Sequence, residues 1–277
     1  MTNSHEVNDR SLERYIPQIR YPGLGAEGQR RLLASCALVC GCGGLGSVLA
    51  NTLARAGVGR LRIVDRDFLE IDNLHRQVLY DEQDVASGLP KAVAAEARLR
   101  KINSQIEIEA IAASVDHTTI GRLLEDVDVI LDGTDNFETR FLLNDAAVKF
   151  GVPWVYGGCV ATEGQTMTIL PGETPCLRCL LQDVPPAGST ATSHSAGILA
   201  PIVNIIGSLE ACEAIKILSG HREAVSRSLQ VFELWDNRVR QVNLASLRET
   251  VNCPTCRQSD FPWLEGRRGS FRRNETC

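Results

Sequence analysis

The chain has 277 residues, of which 44% are hydrophobic and 23% charged, with a formal net charge of −5. That length suits one large α/β unit able to bury a substantial core, and the acidic balance argues against a general attraction to nucleic acid. The polar stretch from Met1 to Arg10 carries Glu6, Asp9 and Arg10 where a signal peptide would be apolar. A cytoplasmic protein that does not engage membranes is therefore expected.

In chain order, the first clear strand is Cys36 to Cys40, followed by Gly41-Cys42-Gly43-Gly44-Leu45-Gly46 and an Ala/Leu-rich helix to about Ala56. Residues 32–54 carry no charge, but the glycine turn and the change of period from strand to helix exclude a membrane span. Strand, tight turn and helix form a phosphate cradle, because glycines let the backbone approach the anion and the helix N-terminus offers free N–H groups. A second strand, Leu61 to Asp65, ends in a carboxylate nineteen residues after Gly46, where a ribose hydroxyl acceptor is expected.

The next stretch separates one nucleotide from another. NAD is held mainly by backbone, with no need of further phosphate-directed side chains, whereas here Asn73, Arg76, Gln77 and Lys91 follow the second strand. Such a series suits a triphosphate. Lys91 opens a predicted helix to about Ile102 directly after Pro90, near a positive helix end where an anionic partner stabilises it; taken alone it is equally readable as a solvated lysine.

A strand over Ile106 to Ala112, a helix around Thr118 to Glu125 and a strand from Val127 to Asp132 continue the α/β rhythm, and another helix starts near Glu138. Asp65, Asp132 and Asp135 stand at strand ends, where parallel sheets bind ligands. Carboxylates facing phosphates need a cation between them, so Mg²⁺ is expected, with Asp135 favoured as its ligand. The simpler reading is that Asp135 or Asn136 only caps the next helix.

The second half opens with two strands, Val152 to Gly158 and Gly164 to Leu170. A Pro/Gly/Ser/Thr-rich loop is predicted from Gln182 to Ser195, then an apolar helix from Ala200 to Leu218, suited to the core or to a subunit interface. Strands are predicted at Leu229 to Trp235 and Val239 to Leu244.

Four of the ten cysteines form two pairs, Cys176-Leu177-Arg178-Cys179 and Cys253-Pro254-Thr255-Cys256, separated by 73 residues. Each pair presents two thiolates to one side of a metal, and the four complete a closed tetrahedral site of the kind structural Zn²⁺ takes. The alternatives are a redox pair or unrelated free thiols. The other internal cysteines read as core or turn residues, and Cys277 as part of a frayed end.

Arg14-Tyr15, Gly28-Gln29, GCGGLG at 41–46, AGVG at 56–59, Asp65, DNLHRQ at 72–77, Pro90-Lys91, TDN at 134–136, EGQ at 163–165 and both cysteine pairs stand in an order that resembles the ThiF/MoeB/HesA adenylyltransferases, bacterial relatives of ubiquitin-activating enzymes. The resemblance covers roughly residues 14 to 257 and implies a Rossmann-like doubly wound α/β sheet, parallel in its N-terminal half and more antiparallel in its C-terminal half. It implies one adenylyltransferase domain over 14–257, with a nucleotide half at about 30–150 and a carrier and zinc half at about 151–257; the ends at 1–13 and 258–277 are expected to be flexible, the latter because it carries Arg267, Arg268, Arg272 and Arg273 with few apolar residues. The implied reaction is ATP-dependent adenylation of the C-terminal Gly-Gly carboxylate of a small ubiquitin-like sulfur-carrier protein, in a homodimer served by a separate sulfurtransferase. By motif position the implied nucleotide set is Gly41, Gly43, Gly44, Gly46, Asp65, Asp67, Asn73, Arg76, Gln77, Lys91, Asp135 and Asn136, with Arg76, Lys91 and Asp135 in the chemistry and Cys176, Cys179, Cys253 and Cys256 on zinc.

Two departures qualify that expectation. The family pattern R-Y-x-R-Q-I reads Arg14-Tyr15-Ile16-Pro17-Gln18-Ile19, so the arginine donated across the dimer is Pro17 here. Ser193 stands where many members carry a cysteine, and a serine forms no thioester at neutral pH. Adenylation without a covalent carrier intermediate is expected. Other readings are a carrier-binding scaffold, a different acceptor such as a tRNA base or a peptide, and a Rossmann oxidoreductase.

Overall fold

The computed structural model describes residues 10–186, 189 and 191–268; Cys277, Arg272 and Arg273 lie outside them. An opening 3-10 turn (Arg10–Tyr15) leads into α1 (Ile16–Ile19) and α2 (Gly25–Ala34). The nucleotide half then alternates β1 (Cys36–Cys40), α3 (Gly44–Ala56), β2 (Arg60–Val64), α4 (Glu82–Ser87), α5 (Lys91–Ile102), β3 (Glu107–Ile111), α6 (Ile120–Leu123), β4 (Val129–Asp132) and α7 (Phe137–Phe150). The second half holds β5 (Trp154–Val160), β6 (Glu163–Ile169), α8 (Leu177–Leu180), α9 (Ser193–Ala196), α10 (Ala200–Leu218), β7 (Ser228–Glu233), β8 (Arg238–Asn243) and α11 (Ala245–Thr250).

All eight strands share one sheet in the order β3-β2-β1-β4-β5-β6-β7-β8. The first five are parallel and the last three antiparallel, as the family resemblance implies. β1 is buried along its whole length, the pattern of a strand covered on both faces. Ala37 and Val39 join α3, α5 and α10 in one core, while Cys36, Leu38 and Cys40 join α6 and α7 in the other. The uncharged run at 32–54 is thus divided among α2, β1 and α3, and among the described residues no helix is long and apolar enough to cross a membrane.

One stretch differs from the sequence-based expectation. Within residues 258–268, expected to be flexible, Phe261 and Trp263 are buried, and the Trp263 ring lies 5.6 Å from the Phe141 ring at a tilt of 46°. The two aromatics, a bond from the Trp263 N–H to Asp145 and an ion pair between Arg268 and Asp183 hold this segment although its composition is polar. At one edge of the sheet, β8 is exposed along its whole length. Val239, Val242 and the Trp235 in the preceding turn are also exposed.

Candidate active site and metal clip

The glycine turn lies at the carboxyl end of β1 and is built by close backbone contact. Gly41 has φ +83°, and a Cβ at Gly46 would lie 1.9 Å from the Gly41 carbonyl oxygen, so neither position accepts a side chain without moving the strand. Gly43 is different. A Cβ there would meet only the Gln77 amide, at 3.7 Å, so no neighbouring atom among the described residues requires glycine, whereas a phosphate approaching the α3 N-terminus would.

The residues after β2 close around this turn. Asp65 accepts the N–H of Cys42 at 2.7 Å and of Asp67 at 2.8 Å. Burial raises its pKa, opposed by those two bonds and by the nearby Lys91 ammonium. The Lys91 ammonium, nearly buried at the first residue of α5, sits 3.8 Å from an Asp67 oxygen. Gln77 is buried beneath the turn with its Oε1 unpaired among the described residues. Arg76 is half-buried and donates to the Asp72 carbonyl at 2.9 Å. Asn73 is committed locally, donating to Asp72 and accepting from the Glu70 N–H. One organiser escaped the sequence reading: the Tyr80 hydroxyl donates to the Cys42 carbonyl at 2.9 Å and lies 3.2 Å from that of Lys91, tying the glycine turn to α5.

The loop after β4 borders the same turn, since a Cβ at Gly41 would reach the Gly133 carbonyl at 2.7 Å. Asn136 caps α7 by accepting the Thr139 N–H at 2.9 Å, which leaves Asp135 exposed and accepting no hydrogen bond among the described residues. Capping and an available carboxylate therefore coexist on neighbouring residues. Asp132 does not converge on the crevice as expected. It is fully buried, paired with Arg140 at 3.2 Å and bonded twice by Thr134. Arg140 also donates to the carbonyls of Thr134 and Gly157, at 2.7 and 3.0 Å, so one buried guanidinium fixes the loop that carries Asp135. A helix residue reaching back to the strand before it has no signature in the sequence pattern.

On the far side of α7 the four paired cysteines come together, with all sulfurs within 4.8 Å of one another. Separations of 3.5 Å for Cys176–Cys253, 3.5 Å for Cys179–Cys256 and 3.8 Å for Cys176–Cys179 exclude disulfides, which need about 2.05 Å. They fit a tetrahedron around Zn²⁺, where a Zn–S length of about 2.3 Å gives sulfur separations of about 3.8 Å. This donor set could hold a metal ion.

The Cys159 thiol on β5 lies 3.8 Å from the Ile202 carbonyl. Burial, and then the Glu210 carboxyl, push its pKa up, so it is not a thiolate at neutral pH. Position 193 falls at the start of α9.

A mixed sheet whose parallel half carries a glycine turn bordered by Asp65, Lys91 and the Asp135 loop defines an α/β fold with a candidate nucleotide cradle. The family can be given as well: a profile of the ThiF family matches residues 15–255, and the chain belongs to that family. It is 45% identical over 252 residues to the sulfur carrier protein ThiS adenylyltransferase of Bacillus subtilis (strain 168), covering 91% of this chain and 73% of the relative. It is 38% identical to the sulfur carrier protein adenylyltransferase of Thermus thermophilus, covering 88% and 90%. Among solved structures, E. coli MccB with MccA-N7isoASN superposes with a TM-score of 0.77 at 25% identity, over 90% of this chain and 76% of that one.

Proposed function

We propose that this chain is an adenylyltransferase that uses ATP to activate the C-terminal Gly-Gly carboxylate of a small ubiquitin-like sulfur-carrier protein. The observation that carries the reading is the glycine turn, open at Gly43, with Asp65, Lys91, Gln77 and the Asp135 loop gathered around it. In this reading Gly43 and Gly44 admit the phosphates, Asp65 holds the ribose, Arg76 and Lys91 meet the phosphate charge, and Asp135 is the candidate ligand for Mg²⁺. Mg²⁺ would supply further neutralisation of the triphosphate.

A carboxylate oxygen of the carrier bonds to the α-phosphorus as the bond to the bridging β-oxygen breaks, and pyrophosphate leaves. Both reactants are anions, so alignment and charge neutralisation by Arg76 and Lys91 carry the catalysis. The attacking group is already ionised at neutral pH and needs no general base. The raised pKa of Cys159 and the serine at 193 support direct adenylation with no thioester.

The cysteine clip is read as structural zinc, since all four donors come from protein and none leaves an open position. The homodimer reading also bears on Pro17. In their own chain the N-terminal turns are anchored by Tyr15 against Gly57, at the end of α3 remote from the glycine turn, about 20 Å away for a helix of this length. Arg14 is engaged with the Ile102 carbonyl. Arg20 lies one turn beyond Pro17, on the same helix face, and is the candidate to act on a partner's site.

The test is ATP-pyrophosphate exchange with a panel of Gly-Gly-ended carriers, beside Asp135→Ala and Arg76→Ala. Exchange that needs one carrier and falls at least about 100-fold in both variants is the expected result. Carrier binding without exchange would instead favour a scaffold, with Pro17 as the cause.

A further inference from the structure

The two cysteine turns hang on adjacent residues of α7. Asn144 and Asp145 are both fully buried. The Asn144 side-chain oxygen accepts the Leu177 N–H at 2.8 Å, fixing the first turn. One Asp145 oxygen accepts from the Thr255 hydroxyl at 3.1 Å, fixing the second, and its other oxygen accepts the Trp263 N–H at 2.9 Å. Thr255 in turn accepts from Arg178 at 3.2 Å. One residue from inside each cysteine pair and one from α7 therefore form a buried chain, Arg178 to Thr255 to Asp145.

Desolvating a carboxylate and a guanidinium is costly, and apolar residues of similar size would commonly serve stability as well. A positional role accounts for the expense. Four thiolates around a divalent ion leave a net charge of −2, and Arg178 is the buried cation beside them. The hydroxyl and carboxylate hold the two turns at the separation the ion needs. The profile of the family ends at residue 255, so the Trp263 contact adds a chain segment beyond it to the same carboxylate.

We propose that Asp145 and Thr255 are positioning residues that hold the clip closed and set how fast it releases its metal, with the Trp263 segment as the second arm of the hold. The proposal rests on the zinc reading. Partners of this kind outside the ligand set typically change metal affinity by about 10- to 100-fold.

The test follows zinc release from the purified full chain into excess 4-(2-pyridylazo)resorcinol, after elemental analysis of bound zinc. Thr255→Val and Asp145→Asn are expected to release zinc about tenfold faster, and Thr255→Ser at the wild-type rate. Leu61→Ala, a cavity in the other core, is expected to lower the Tm without faster release. Should Thr255→Val fail to fold, Asp145→Asn carries the same expectation. Release from both variants at the wild-type rate, or equal acceleration by Leu61→Ala, overturns the hold while leaving the zinc reading intact. A wild type that neither carries nor takes up zinc overturns both.

Discussion

The two halves of the sheet are held by different means. Around β1 the backbone itself is the building material: Gly41, Gly46 and Gly133 touch through main-chain atoms, and their freedom to vary is small because no side chain can move aside. Beyond β5 the structure depends on side chains reaching between distant segments, from α7 to both cysteine turns and to residue 263. Both arrangements join segments far apart in sequence, Gly41 to Gly133 in the first and Asp145 to Thr255 and Trp263 in the second, but the first is closed by main-chain contact within a paired sheet, whereas the second has a metal clip as a cross-link to offset its loop-closure entropy.

The sharpest way to break this contrast is at Gly46. Gly46→Ala is expected to cost about 4 kcal/mol or more, read as a large fall in Tm with loss of ATP binding; a Tm near wild type would show that the turn is softer than its contacts imply. Removing the metal should strike the other half. Cys253→Ser, or exhaustive chelation, is expected to expose residues 245–268 to limited proteolysis while nucleotide binding, measured by calorimetry, persists. Simultaneous loss of both would make the halves one cooperative unit. Gly43→Ala sharpens the comparison from within the turn. A Cβ there has room, so the Tm should stay within about 0.5 kcal/mol-equivalent of wild type, while ATP affinity falls about tenfold or more through displacement of a phosphate by the methyl group.

The smallest effect concerns Glu210, fully buried on α10 with both oxygens unpaired among the described residues. Burial, and then Asp132, raise its pKa well above the carboxylate range, against the pull of Arg140. A raised folded-state value means that its stability contribution is complete at low pH, below the unfolded value, and is lost as pH rises through the folded value. Glu210→Gln is expected to flatten the fall in Tm as pH rises above the ordinary carboxylate range; an unchanged curve would show that Glu210 is not the group responsible.

What the sequence disclosed follows the same division. The glycine turn, the strand before it and the bounds of α10 were legible because they depend on contiguous residues with a clear period or an obligatory residue type. The pairing of the cysteines was legible through ligand spacing. Arg140 as the support of the Asp135 loop, Tyr80 as the tie to α5 and Asp145 beneath the clip were not, because each acts on backbone or side-chain atoms of another segment. Asp132 misled for that reason: its place at a strand end suggested a ligand, and a guanidinium one helix turn into α7 had already claimed it.

The exposed β8 has a consequence for how the protein behaves in concentrated solution. An outer strand with free N–H and C=O groups, flanked by Val239, Val242 and Trp235, is a template for edge-to-edge pairing and aggregation. Arg238 and Arg240, on the same strand and both largely exposed, are charged gatekeepers of the kind that oppose such stacking. Replacing the two with threonine would leave the fold intact and turn that border of the sheet into a site of self-adhesion.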